Sequence, residues 1–264
     1  MQRPIQFRSL EELPVAARTA ARALRAGVVD MFGQDLHALY LHGAVTFPSA
    51  QAADGAEGAE STEGAGNLDY HAILARPPSP ARRTALATAL AVHEAEMARR
   101  HPRYAAHLDG WVIGLDAARR PAPPAHLLQP ELRDHAWALH RAHWLAVQCV
   151  VLHGPGPAEI VPVPTGGELR AALNFALDFA ARDHSDADAV LNACRIIRSA
   201  AQDNVVQSKL GSALWALDQL PPEHGPAIRA AMASYRGHPT APEEQALASG
   251  RAALITLAAR SLGR

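Results

Sequence analysis

The sequence predicts an α+β protein in two parts. A mixed domain of sheet and helices should occupy residues 1–164, and an all-helical bundle residues 165–264. Three observations carry this reading. Short aliphatic runs of strand length, at 37–46, 68–75 and 107–115, all fall in the first part. Every long segment after Gly167 repeats its apolar residues at helical spacing. Two proline clusters, Pro121 to Pro130 and Pro155 to Pro164, interrupt the chain before the change of pattern.

Taken in order, residues 10–29 place Leu10, Leu13, Ala17, Ala20, Ala21, Leu24 and Val28 on one helical face. Residues 37–46 then read as a strand running into a glycine turn. Residues 49–66 contain no large apolar side chain and cannot offset the entropy of ordering, so the expectation is a flexible acidic loop. A second strand at 68–75, a helix at 79–100 and a third strand at 107–115 follow. Residues 119–130 form an extended proline-rich connector, 131–147 a helix, and Gly154-Pro155 a sharp turn. In the second part, helices are expected at about 167–182, 187–202, 208–219, 223–236 and 241–261.

Composition excludes some classes of function. The net charge of −1 gives no support to a nucleic-acid or membrane-surface partner, either of which favours a basic excess. No run of 18 apolar residues is long enough to span a bilayer. The first residues lack the apolar core of a signal peptide, and Cys149 and Cys194 fit small buried hydrophobes in a reducing cytoplasm. Alanine fills 57 positions, and 24 arginines stand against one lysine, Lys209. That bias makes the exception informative.

Candidate chemistry starts at the strands. Asp69 and His71 are two residues apart, so a strand turns both to one face. A carboxylate and an imidazole together can ligate a divalent ion, with the imidazole drawing preference from magnesium toward manganese or zinc. If the third strand lies beside the second, Asp109 joins them as a general base. Ser208 is a good N-cap, which puts Lys209 at the first position of a helix. The helix dipole disfavours a cation there, and an anionic ligand such as phosphate would relieve it. Arg195 on the preceding helix would complete a two-cation clamp. His140 and His143 have a helical spacing that suits zinc, but the sequence places no third ligand near them, so a partly buried helix face is the reading.

The segments Ala189–Ser199 (AVLNACRIIRS) and Asn204–Pro221 (NVVQSKLGSALWALDQLP), then the helix ending in ASYRG, resemble the C-terminal domain of the aminoglycoside 3''/9 adenylyltransferases. These are the streptomycin and spectinomycin resistance enzymes. The resemblance extends upstream through VVLHGPGPAEIVPVP and covers roughly residues 37–237. It implies a nucleotidyltransferase domain of the DNA polymerase β type followed by a helical bundle, with ATP and the antibiotic bound between them. A monomer suffices for such a cleft.

Carried over residue by residue, the resemblance puts the ATP phosphates on Arg195 and Lys209. It assigns Asp109 the place of a catalytic glutamate and Gly43-Ala44 the place of a glycine-serine turn, with Thr46 close by as a hydroxyl. It assigns Asp69 and His71 the place of an aspartate-x-aspartate pair that binds magnesium or manganese. Phe175, Asp178, Phe179, Asp183, Asp186 and Asp188 occupy the drug-binding stretch, which here lacks the family's tryptophan. The leading expectation is AMP transfer from ATP to a hydroxyl of an aminoglycoside-like molecule. Ala44 and His71 motivate an alternative, a nucleotide- or small-molecule-binding pseudo-enzyme of the same fold. The missing tryptophan motivates another, a transferase for a non-antibiotic acceptor.

Overall fold

The computed structural model describes residues 9–47, 68–105, 108–235 and 241–264. The loop expected at 49–66 lies outside them. The chain divides into two compact units, Met1–Pro164 and Thr165–Arg264.

The first unit opens with helix α1 (Val15–Phe32), whose buried stripe is Ala17, Ala20, Ala21, Leu24, Val28 and Phe32. Strand β1 (Leu36–His42) follows, then β2 (Asp69–Leu74) and helix α2 (Pro80–Arg100). A short helix α3 (Pro102–Ala105) leads to β3 (Gly110–Gly114) and a single helical turn, α4 (Leu115–Ala118). Helix α5 (Trp137–Leu145) and strand β4 (Val150–His153) complete the unit. The four strands lie in the order β3-β2-β1-β4. β1 is antiparallel to β2 and β4, while β2 and β3 run parallel through the α2 crossover.

Both faces of this sheet are covered, which is why its strands read as continuous apolar runs. Leu39, Leu41, Tyr70, Ala72, Leu74 and Val112 share one buried cluster with the apolar stripe of α1. Ala38, Tyr40, Ile73 and Ile113 turn the other way, onto Trp137 and Trp144 of α5. His42, Asp69 and His71 have the parity of that second face.

Three elements differ from the expectation. β1 ends at His42, because Gly43 takes a φ of +81° and starts a tight turn through Thr46. The helix expected from 131 begins only at Trp137: the Asp134 carboxylate accepts the Ala136 amide at 3.0 Å, fixing a turn first. A fourth strand, β4, stands where the sequence showed only the approach to a turn. It is four residues long, too short for periodicity to reveal.

The second unit contains α6 (Gly166–Asp183), α7 (Asp186–Gln202), α8 (Lys209–Gln219), α9 (Gly225–Tyr235) and α10 (Ala241–Ser261). Caps set the starts. Thr165 and Glu168 form a reciprocal capping box on α6, and Ser208 accepts the Gly211 amide at 3.0 Å on α8. A buried α7, contributing Val190, Leu191, Cys194, Ile196 and Ile197, centres a core shared with α8, α9 and α10.

Candidate functional site

The parallel pairing of β2 with β3 sets Tyr70 beside Gly110, so Asp69 and Asp109 immediately precede partnered residues on neighbouring strands. The Tyr70 amide donates to the Asp109 carbonyl at 3.0 Å, which closes the sheet end there. Asp69 is half-buried and Asp109 exposed. Gly43 belongs to the same end. A Cβ built on it would lie 2.0 Å from Asp69 Oδ2, so only glycine lets the carboxylate settle over this turn. Thr46 is fully buried and braces the turn from within: its hydroxyl donates to the Gly43 carbonyl at 2.8 Å. The Gln148 amide donates to the Thr46 carbonyl at 2.6 Å and to its Oγ1 at 3.2 Å.

His71 stands in a polar knot beneath an aromatic cover. Its Nδ1 meets His42 Nε2 at 2.8 Å and its Nε2 meets Asp134 Oδ2 at 3.2 Å. His140 Nδ1 meets the same Asp134 oxygen at 2.8 Å. The His71 and Asp134 side chains are 0% and 2% exposed, whereas that of His140 is 22% exposed and forms the outer wall. Trp144 packs edge-on against His71, and Trp111 and Trp137 lie at ring distances of 6.3 and 5.9 Å.

Burial opposes charge in this knot, and the residues respond differently. Burial, with His71 and His140 nearby, holds His42 well below the ordinary imidazole range. Burial also lowers His71, against the pull of Asp134. For Asp134 burial would raise the carboxyl, but His140 and His71 together hold it below its ordinary value. His140 is raised despite its burial, because Asp134 faces it and Asp109 and Asp69 add negative potential. The charges of the sheet end and of the knot therefore act on one another.

These positions decide how the implied divalent cation fits. Asp69 offers an oxygen at the glycine turn and suits a hard ion. His71 turns one nitrogen to His42 and the other to Asp134, so it does not fit as the second member of a magnesium-binding pair with Asp69. His143, in turn, sets its Nδ1 2.7 Å from the Leu139 carbonyl. His140 is partly buried on the helix face, as expected, but there it meets Asp134, which links it to His71 rather than to His143. The one available signal was an aspartate six residues before a helical histidine, a spacing with no periodic meaning.

In the second unit, Asp188, Asn192 and Arg195 of α7 fall at i, i+4 and i+7, one stripe of the helix. Lys209 Nζ donates to Asp188 Oδ1 at 2.8 Å and sits 5.4 Å from the centre of the Tyr235 ring. Burial would raise the Asp188 carboxyl, but Lys209 and Ser185 hold it below its ordinary value. His184 lies 3.0 Å from the Asn192 amide nitrogen. Its imidazole is lowered by burial first and then by Lys209 and Arg195, which places both cations within its electrostatic reach. Sequence reading missed His184, Asn192 and Tyr235, since none has a spacing that marks it.

The remaining drug-site candidates separate. Phe175 and Phe179 stack at 6.0 Å, and Phe179 meets the His184 ring edge-on at 4.9 Å. Asp186 pairs with Arg251 of α10 at 2.8 Å and Asp178 with Arg264 at 2.7 Å. Asp183 lies 3.8 Å from Arg182. Only Asp188 is bonded to the lysine.

A small mixed sheet with a helical crossover, followed by a unit whose described residues form five α-helices, defines the class: a nucleotidyltransferase fold with a helical C-terminal domain. Residues 163–262 match the family model described as the aminoglycoside adenylyltransferase C-terminal domain. The helical unit is thus similar, over nearly its whole length, to that family's C-terminal domain. The fold of the chain is similar to the crystal structure of spectinomycin adenyltransferase AAD(9) from Enterococcus faecialis with ATP and spectinomycin. That likeness has a TM-score of 0.67 at 13% identity and covers 93% of this chain and 99% of that one. No curated protein matches the sequence. Among the described residues no helix is long and apolar enough to cross a membrane.

Proposed function

We propose that this protein transfers AMP from ATP to a hydroxyl of an aminoglycoside-like small molecule. The observation that carries the reading is the pairing of β2 with β3, which brings Asp109 to the strand end next to that of Asp69, whose carboxylate lies over the Gly43 turn. Asp109, exposed at that end, takes the proton of the acceptor hydroxyl. The resulting oxygen attacks the α-phosphorus in line, the bond to the β-phosphate oxygen breaks, and pyrophosphate leaves. Lys209 and Arg195 carry the phosphate charge. A magnesium or manganese ion arriving with the nucleotide would be held by Asp69 and would neutralise phosphate oxygens. Phe175, Asp178, Asp183, Asp186 and Asp188 would meet the drug, with Asp188 best placed because it already holds an ammonium.

Thermal unfolding with ATP and manganese tests the binding half. ATP is expected to raise the melting temperature, and Lys209→Ala to weaken binding roughly tenfold or more, the scale of a lost charge-assisted hydrogen bond. Pyrophosphate release with streptomycin or spectinomycin tests the transfer. The commitment of His71 to Asp134 supports a second reading, a nucleotide-binding pseudo-enzyme. A thermal shift with no pyrophosphate released from ATP in the presence of any aminoglycoside would favour that reading. No shift with any nucleotide and metal would refute both.

A further inference from the structure

We propose that His71, Asp134 and His140 form a binding site for one transition-metal ion of the zinc type, separate from any cation that accompanies nucleotide at Asp69. One ligand atom from each residue lies within 4.8 Å of the other two. Two of the separations are 3.2 and 2.8 Å, both to Asp134 Oδ2. Tetrahedral zinc with bonds of about 2.0–2.1 Å needs ligand atoms about 3.3 Å apart, so small side-chain shifts open the triangle around an ion.

The donor chemistry selects the metal. Two imidazoles and one carboxylate suit zinc, cobalt or iron, whereas magnesium and calcium seek oxygen throughout. The supporting contacts are those of a metal centre. The Ala136 amide holds Asp134 Oδ1 at 3.0 Å, leaving Oδ2 for the ion. His42 Nε2 faces His71 Nδ1 at 2.8 Å, so a metal on Nε2 leaves the His71 proton on Nδ1, where it donates to His42. Trp111, Trp137 and Trp144 surround His71 and exclude water on the sheet side. His140, the least buried of the three, provides the way in, and water takes the fourth position there.

The same four side chains can also close as a metal-free chain of hydrogen bonds, and the test separates the two. The full-length protein, stripped with chelator, is titrated with cobalt(II), and zinc is then competed against a chromophoric indicator. One equivalent is expected to bind with a Kd on the order of micromolar or tighter. Bound cobalt should give the visible absorption of a four-coordinate nitrogen–oxygen site and quench tryptophan emission, and millimolar magnesium should displace none of it. His140→Ala is expected to weaken zinc binding by about 100-fold or more while circular dichroism stays unchanged. Asp69→Asn, which removes a neighbouring charge but no ligand, should weaken zinc binding far less than His140→Ala does. Absence of saturable cobalt or zinc binding to the wild-type chain overturns the proposal. So does binding that Asp69→Asn removes and His140→Ala retains. The wild-type cobalt spectrum decides the matter even where a variant misfolds.

Discussion

Glu94 on α2 accepts a hydrogen bond from the Tyr70 hydroxyl at 2.9 Å. Burial raises its carboxyl above the ordinary 4.5, the Tyr70 bond opposes this, and Asp109 adds to it. The folded protein therefore holds this proton more tightly than the unfolded chain does. The stabilisation is fully present below the ordinary value and is lost as pH rises through the raised one. Glu94→Gln keeps the acceptor oxygen and removes the charge. Its melting temperature should match that of the wild type at about pH 4 and exceed it at about pH 8. An equal offset at both values would sink this account. Residue by residue, the sequence showed Lys209 at a helix start, Ser208 as its cap and Gly43 in a turn, because each obeys a local rule. Asp134 obeys one too, in its bond to the Ala136 amide, but its meeting with the histidines depends on side chains 63 residues before it and 6 after it.

Among the elements, α5 shows what local periodicity misses. Its Arg141 is fully buried, yet its guanidinium donates to the Pro162 carbonyl at 3.0 Å and to the Pro121 carbonyl at 3.3 Å. It also lies over the Trp137 ring at 5.7 Å. One side chain thus ties both proline-rich connectors to the helix that covers the sheet. Arg141→Ala strands two carbonyls and leaves a cavity. It should cost about 2–4 kcal/mol in urea denaturation. Arg141→Lys should recover little of that, because an ammonium lacks the planar fork that reaches both connectors. The proline clusters were legible as interruptions between elements, but not the arginine that fastens them, since a buried arginine in a row of helical residues looks like any exposed one. β4 escaped for a related reason: its four residues gain strand geometry from β1 rather than from their own pattern.

At the scale of the whole molecule, the two units have separate cores. Leu177, Val190, Leu191, Ile196, Ile228 and Leu254 pack together within Thr165–Arg264, and among the described residues none of the first unit joins their cluster. A chain of residues 165–264 is expected to be helical by circular dichroism and to unfold in one cooperative transition. A disordered fragment would show that its core needs the first unit.

Helical spacing, capping residues and proline placement determined the α+β reading and most element positions, because those signals act within a few residues of one another. The family motif around Lys209 was equally local. Tertiary structure alone decided that Asp69 and Asp109 stand at neighbouring strand ends, that His71 and His140 both turn to Asp134, and that Lys209 pairs with Asp188. Those meetings depend on strand order, register and helix packing, which join residues from distant segments and leave no period in the chain.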